Sequence, residues 1–417
     1  MNPVRLVAVA AMVLAAVGAS IAAERVHAGT AARADDAPRF TVDPLWPRPL
    51  PNHWLLGSAT GVAVDSHDHI FVLDLPGSFN PRTEVGASTN PPTGNCCFPA
   101  PPVLVFDQAG NLIAHWGGPG NGYDWPAMPT GIAVDADDHV WIAGAGPTDG
   151  QVLEFTNTSA FVRQFGKALP ADAPPGGALG RGRGRGGYGG GSQGPTPQPP
   201  GHSDQMDTFG AAAQVAVDVP GGIAWVADGF RNRRVAVVDL SSGRITRVWS
   251  ADGGRPDDSD LGAYQPGAAA TQFRGASCIH RSRDGLLYVC DRGNDRIRIY
   301  SADGTPAGGQ AVAPATLGEG SVWDLAFSAD PAQRFLYVAD GMNDRIAILD
   351  RKTLTQLTTF GDGGRYPGGF TALHSVATDS RGNLYTAETY EGKRVQKFVY
   401  RGIGPVAHTN QGVLWPR

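Results

Sequence analysis

The chain has 417 residues, and its 57 glycines and 33 prolines fill more than one position in five, a density that interrupts long helices and excludes a helical bundle. With 41% apolar and only 18% charged residues it can bury a sizeable core and does not have the composition of a disordered polymer. Its 34 basic and 39 acidic residues leave a formal charge of −5, so no nucleic acid or other polyanion is an expected partner.

The first element is an export signal. Arg5 is followed by an uncharged apolar stretch from Leu6 to Ala19, too short for a full bilayer span. Small residues at Ala23, Ala28 and Ala34 each offer a cleavage point, and residues 1–34 are assigned to the signal and a disordered mature start, with an uncleaved anchor as the alternative. An exported, periplasmic or extracellular chain without membrane insertion after signal removal is expected.

From about residue 60 one pattern recurs, an apolar-alternating run, a short polar turn and a second run ending in an acid. It reads ATGVAVDSHDHIFVLD from Ala59, PTGIAVDADDHVWIAG from Pro129, AAQVAVDVPGGIAWVAD from Ala212, ASCIHRSRDGLLYVCD from Ala276, VWDLAFSADPAQRFLYVAD from Val322 and LHSVATDSRGNLYTAE from Leu373. A further pair of runs follows each one, except that the last, RVQKFVYRG, lacks its partner. Four antiparallel strands repeated six times specify an all-β, six-bladed β-propeller over residues 39–403, followed by a tail at 404–417. The run Arg39 to Asp43 is expected to supply the missing strand and close the ring.

Most extra chain falls at residues 75–102, 166–211, 250–275 and 361–372, connections that emerge on one face and mark it as the functional side. Residues 169–202, with RGRGRGGYGGG and PTPQPP, read as a low-complexity loop.

Four cysteines remain. Cys278 and Cys290 flank a hairpin turn and can face each other as a disulfide, while adjacent Cys96 and Cys97 are either a strained vicinal disulfide or two loop thiols.

Repeat alignment places Thr60, Thr130, Ala213, Ser277, Trp323 and His374 at the start of the innermost strands, around the central channel. Asp74, Gly144, Asp228, Asp291, Asp340 and Glu388 end the second strands. These acids either line a ligand site or satisfy backbone donors, with Arg234, Arg296, Arg345 and Arg394 as structural partners. His374 is the only histidine of the ring, a candidate metal ligand or proton carrier; His53 and His202, on loops of the same face, are candidate further ligands for zinc or calcium. Phe230, Arg231, Arg292 and Trp323 are expected to crown the mouth, where they could hold an anionic or carboxylate-bearing small molecule. No nucleophile elbow, phosphate-binding glycine loop, HExxH or CxxC is present.

Through its VAVD, VADG and NDRI strings the chain resembles NHL-repeat propellers across about residues 55–402. Within that group VADGFRNRRV from Val226, CDRGNDRI from Cys290 and LHSVATD from Leu373 resemble the motifs of peptidyl-α-hydroxyglycine α-amidating lyases, exported six-bladed enzymes that release glyoxylate from hydroxyglycine-extended peptides. The resemblance implies zinc held by three channel histidines and a catalytic tyrosine. Here only His374 stands at such a histidine position, with Ser277 and Thr208 at the others, and Phe230 stands at the tyrosine. The sequence therefore points first to an exported propeller binding a small molecule or peptide at its channel mouth, with His374, Arg231 and Arg292 as candidates for catalysis if there is any. A divergent metal-dependent lyase is the first alternative and a protein-interaction scaffold the second.

Overall fold

The structure, a computed structural model, describes residues 36–89, 96–170 and 201–416. The expected signal at 1–34 and nearly all of the 169–202 tract lie outside the described residues.

Alternating β-branched and polar residues build six four-stranded antiparallel sheets. Their innermost strands are Ser58–Val64, Pro129–Val134, Gln214–Asp218, Ala276–Arg281, Val322–Phe327 and Leu373–Thr378. In the first five blades the strands follow one another outward in chain order. Blade six runs Leu373–Thr378, Leu384–Glu388 and Arg394–Pro405, and its outer strand is Asp36–Asp43 from the start of the described chain. The closing register runs from Asp36 opposite Pro405 to Asp43 opposite Lys397.

Tight hairpins hold the undecorated face. In four of them an aspartate carboxylate caps the turn: Asp65 Oδ1 accepts the His69 N–H at 2.8 Å, and Asp107, Asp135 and Asp379 do the same for Asn111, His139 and Asn383. His67, His69 and His139 belong to these turns.

The core lies between blades. Phe71, Leu73 and Val103 of blade one interlock with Ile132 and Ile142 of blade two, and Phe40 of the closing strand packs with Phe398, Phe360 and Tyr337 of blades six and five. Inner strands approach so closely that a Cβ at Gly131 would strike the carbonyl oxygen of Ala213 in the next blade.

The long connections share the opposite face. The insertion after blade one's second strand carries a short helix, Val85–Ser88, and a two-residue parallel pairing of Phe98–Pro99 with Trp54–Leu55. Glu84 pairs with Lys393, which ties the insertion to blade six. Cys96 is joined to Cys97 within it, and Cys278 to Cys290 between in-register residues of blade four's first two strands, whose Cα atoms are 4.9 Å apart.

Candidate functional site

Five of the six inner strands begin with an irregularity of the same kind. The ladder skips one residue between Ala59 and Gly61, Pro129 and Gly131, Ala276 and Cys278, Val322 and Asp324, and Leu373 and Ser375. The residue left out is Thr60, Thr130, Ser277, Trp323 or His374, five of the six ring positions, and Ala213 stands just before the sixth inner strand. A bulge frees a side chain from the alternation of its strand and turns it elsewhere. Here several turn to the neighbouring blade: Thr60 Oγ1 donates to the Pro129 carbonyl at 2.8 Å, Ser277 Oγ to that of Trp323 at 3.1 Å, and His374 Nδ1 lies 2.7 Å from that of Thr60.

That last bond fixes the imidazole. A carbonyl can only accept, so Nδ1 carries the proton and Nε2 keeps its lone pair. Burial and the nearby Arg292 charge pull His374 down to about 4, against weaker opposition from Asp324 and the Thr60 carbonyl. The ring is therefore neutral over the physiological range, and no described residue bonds Nε2.

Around it stands a compact group from three blades and the link between blades four and five. The His374 and Trp323 rings meet edge to face at 5.5 Å. Arg292 stacks on Trp323 with its guanidinium carbon 3.5 Å from the ring centre, and it pairs with Glu319, whose carbonyl also takes its Nε–H at 2.8 Å. Burial lowers Arg292 to about 10. Tyr390 donates its hydroxyl to Glu319 Oε2 at 3.0 Å and presents its ring edge to Trp323 at 6.3 Å.

Tyr390 and Glu319 escaped the sequence reading. A signal for the tyrosine existed: it lies two residues after the acid Glu388, as Phe230 lies two after Asp228. Glu319 comes from a variable link and has no repeat position to betray it.

The acids that end the second strands serve the scaffold. Asp228, Asp291, Asp340 and Glu388 are buried and receive Arg234, Arg296, Arg345 and Arg394 at 2.7–3.0 Å. Asp228, Asp291 and Glu388 also accept the N–H of Gly210, Arg274 and Thr371 in the links that enter their blades. Their oxygens are thus occupied within the protein rather than turned toward a ligand. Blade two, with Gly144 in the acid's place, uses Asp149 instead, which accepts from Ala127, Met128 and Gly146. Asp74, whose blade has the long insertion where the arginine would stand, is raised well above the usual carboxylate range by burial.

Phe230 is buried in the blade three core, and Arg231 beside it donates to the Pro147 carbonyl at 3.1 Å. Deeper along the channel-side strand, His280 Nε2 lies 2.7 Å from Asp324 Oδ1, whose other oxygen accepts from Ser375 Oγ.

The zinc that the lyase resemblance implies needs three or four donors at one point, and calcium more. Among the described residues no such group forms at His374: His53 and His202 are exposed, the first held through its carbonyl by the Phe98 N–H and the second through its N–H by Asn232. The three-donor groups that do occur are Asp65–His67–Asp138 and Asp135–His139–Glu154, on the undecorated turns, and Cys278–His280–Asp324, whose sulfur is in the disulfide. The residues at His374 do not fit zinc or calcium.

The family described as lactonase with a seven-bladed β-propeller matches residues 236–371, under half of the chain, and the blades here number six. No curated protein matches. Similar solved structures include a streptogramin B lyase (10% identity over 88% of this chain and 98% of that one, TM-score 0.46). Others are a virginiamycin B lyase from Staphylococcus aureus (10%, 87% and 99%, 0.47) and a structural genomics protein from Bacteroides thetaiotaomicron (11%, 88% and 77%, 0.48).

Proposed function

We propose that this chain is an exported β-propeller that binds a small molecule or peptide at the decorated mouth of its channel. The observation that carries the reading is His374, a buried neutral imidazole whose Nδ1–H is committed to the Thr60 carbonyl and whose Nε2 is left as an acceptor beside the Trp323 face. Aromatic residues around a few fixed polar atoms are the usual lining of a small-ligand site. Export is supported by the signal-like start and by two disulfides, which persist in oxidising compartments.

The test is a thermal-shift screen of the mature protein against small peptides and polar aromatic compounds, repeated with His374→Ala. Ligands that raise the midpoint of the native chain and lose most of that effect in the variant are expected. Equal shifts in both proteins would move the ligand site away from the channel mouth.

A lyase is the second reading, favoured by one specific pairing. His374 Nε2 can take a proton, and the Tyr390 hydroxyl, held by Glu319 and edge to face with the same indole, can supply one. Glyoxylate release from a hydroxyglycine-extended peptide, lost in both His374→Ala and Tyr390→Phe, would establish it. The binding reading expects no release.

A further inference from the structure

Four arginines are buried among the described residues, and three of them meet a carboxylate: Arg234 meets Asp228, Arg292 meets Glu319 and Arg351 meets Asp284. Arg231 is the fourth. It is 7% exposed, and no described carboxylate lies within ion-pair distance of it, although the Asp228 charge is near enough to favour its charged form. Its guanidinium makes a single hydrogen bond, from Nη1 to the Pro147 carbonyl. A guanidinium has five N–H donors, so four remain without an acceptor among the described residues. None of its nitrogens is among the fully enclosed polar atoms that lack a partner, so the small exposure the residue keeps includes the guanidinium nitrogens.

The surroundings are built from small groups. Arg231 follows blade three's second strand and crosses to blade two's end loop, where Gly144, Ala145 and Gly146 precede Pro147. The ring residues on this side are Thr130 and Ala213, and the Thr130 hydroxyl is enclosed with no hydrogen-bond partner. In a six-membered ring, blades two and three stand opposite blades five and six, which carry Trp323 and His374. One side of the ring therefore carries a neutral acceptor packed against an indole, and the opposite side a guanidinium without a described carboxylate partner at ion-pair distance.

We infer that the ligand of the channel mouth carries a carboxylate and that Arg231 receives it. This rests on the reading of the mouth as a ligand site. A partly desolvated cation gains most from an anion that can accept two parallel N–H bonds, which a carboxylate does in the plane of the fork. A monoanion matches the one buried guanidinium that has no described carboxylate at ion-pair distance. A phosphate dianion would call for more: Arg292 is neutralised by Glu319, and Arg274 spends its guanidinium on the Gly262 and Leu261 carbonyls and the Asn294 side chain.

The experiment compares hippurate with hippuramide, its uncharged counterpart of the same shape, by calorimetric titration of the native protein, Arg231→Gln, Arg231→Lys and His374→Ala. Hippurate is expected to bind the native protein about tenfold or more tightly than the amide, the value of a charge-assisted pair. In Arg231→Gln that preference disappears, and Arg231→Lys, which keeps the charge without the fork, retains part of it and guards against a variant that fails to fold. An undiminished acid preference in Arg231→Gln, or none in the native protein, overturns the inference. A preference lost in Arg231→Gln but intact, with unchanged affinity, in His374→Ala upholds Arg231 and sinks the role given to His374. The reverse pattern sinks Arg231 alone.

Discussion

His374 trades charge for position. In an unfolded chain its imidazole would titrate near 6.5, and in the fold it does so at about 4, because burial and Arg292 oppose the charged form. Between those values only the unfolded chain takes up the proton. Stability is therefore undiminished by this group above pH 6.5 and falls as the pH drops toward 4, by up to about 3 kcal/mol. His374→Gln removes that slope, so between neutrality and the folded-state value the denaturant midpoint of the native protein should fall further than that of the variant. Arg292, Asp324 and the Thr60 carbonyl are the groups that face the ring, and they are present in both proteins. The histidine was legible in the sequence because the repeats align and only one ring position carries that residue. The Tyr390–Glu319 pair was not, because it joins residues 71 apart through a link whose length varies between blades.

At the scale of single elements, the recurrent device is an acid at the end of the second strand that gathers an arginine and the incoming backbone. Arg234 and Asp228 are both fully enclosed, and Arg234 also reaches the carbonyls of Ser203, Gln205 and Thr208. Arg234→Met leaves Asp228 buried and unanswered and should cost about 3–5 kcal/mol in urea melts. Arg345→Met, where the arginine side chain is 30% exposed, should cost clearly less in the same measurement. The cadence of these acids and arginines was plain in the sequence, and so were the strands. The substitution of Asp149 for the missing acid of blade two was not, because it sits five residues beyond Gly144 and reaches the same backbone from a different loop. Blade four hides another departure. Three residues past the bulge five blades have alanine, at Ala63, Ala133, Ala216, Ala326 and Ala377, and blade four has His280, which finds Asp324 in blade five. A repeat alignment shows the exception but not the partner.

For the molecule as a whole, the decisive feature is the pairing of Asp36–Asp43 with Arg394–Pro405. It covers the edge of blade six and seats Ala37, Phe40 and Val42 in the core shared with blade five. A chain beginning after Asp43 would expose that edge and the apolar groove beside it. It should melt at lower temperature and form higher-order species in size-exclusion chromatography, and addition of a peptide with the sequence of residues 36–43 should reverse part of both effects. Retention of a monomeric, equally stable ring would refute this account of closure. The same pairing also sets a clock. Asp36–Asp43, the first described strand to leave the ribosome, has no partner until Arg394–Pro405 follows, so blades one to five can form in order of synthesis while the ring stays open. The circle thus stays unfinished until strands from opposite ends of the described chain meet, so its completion is tied to the end of synthesis.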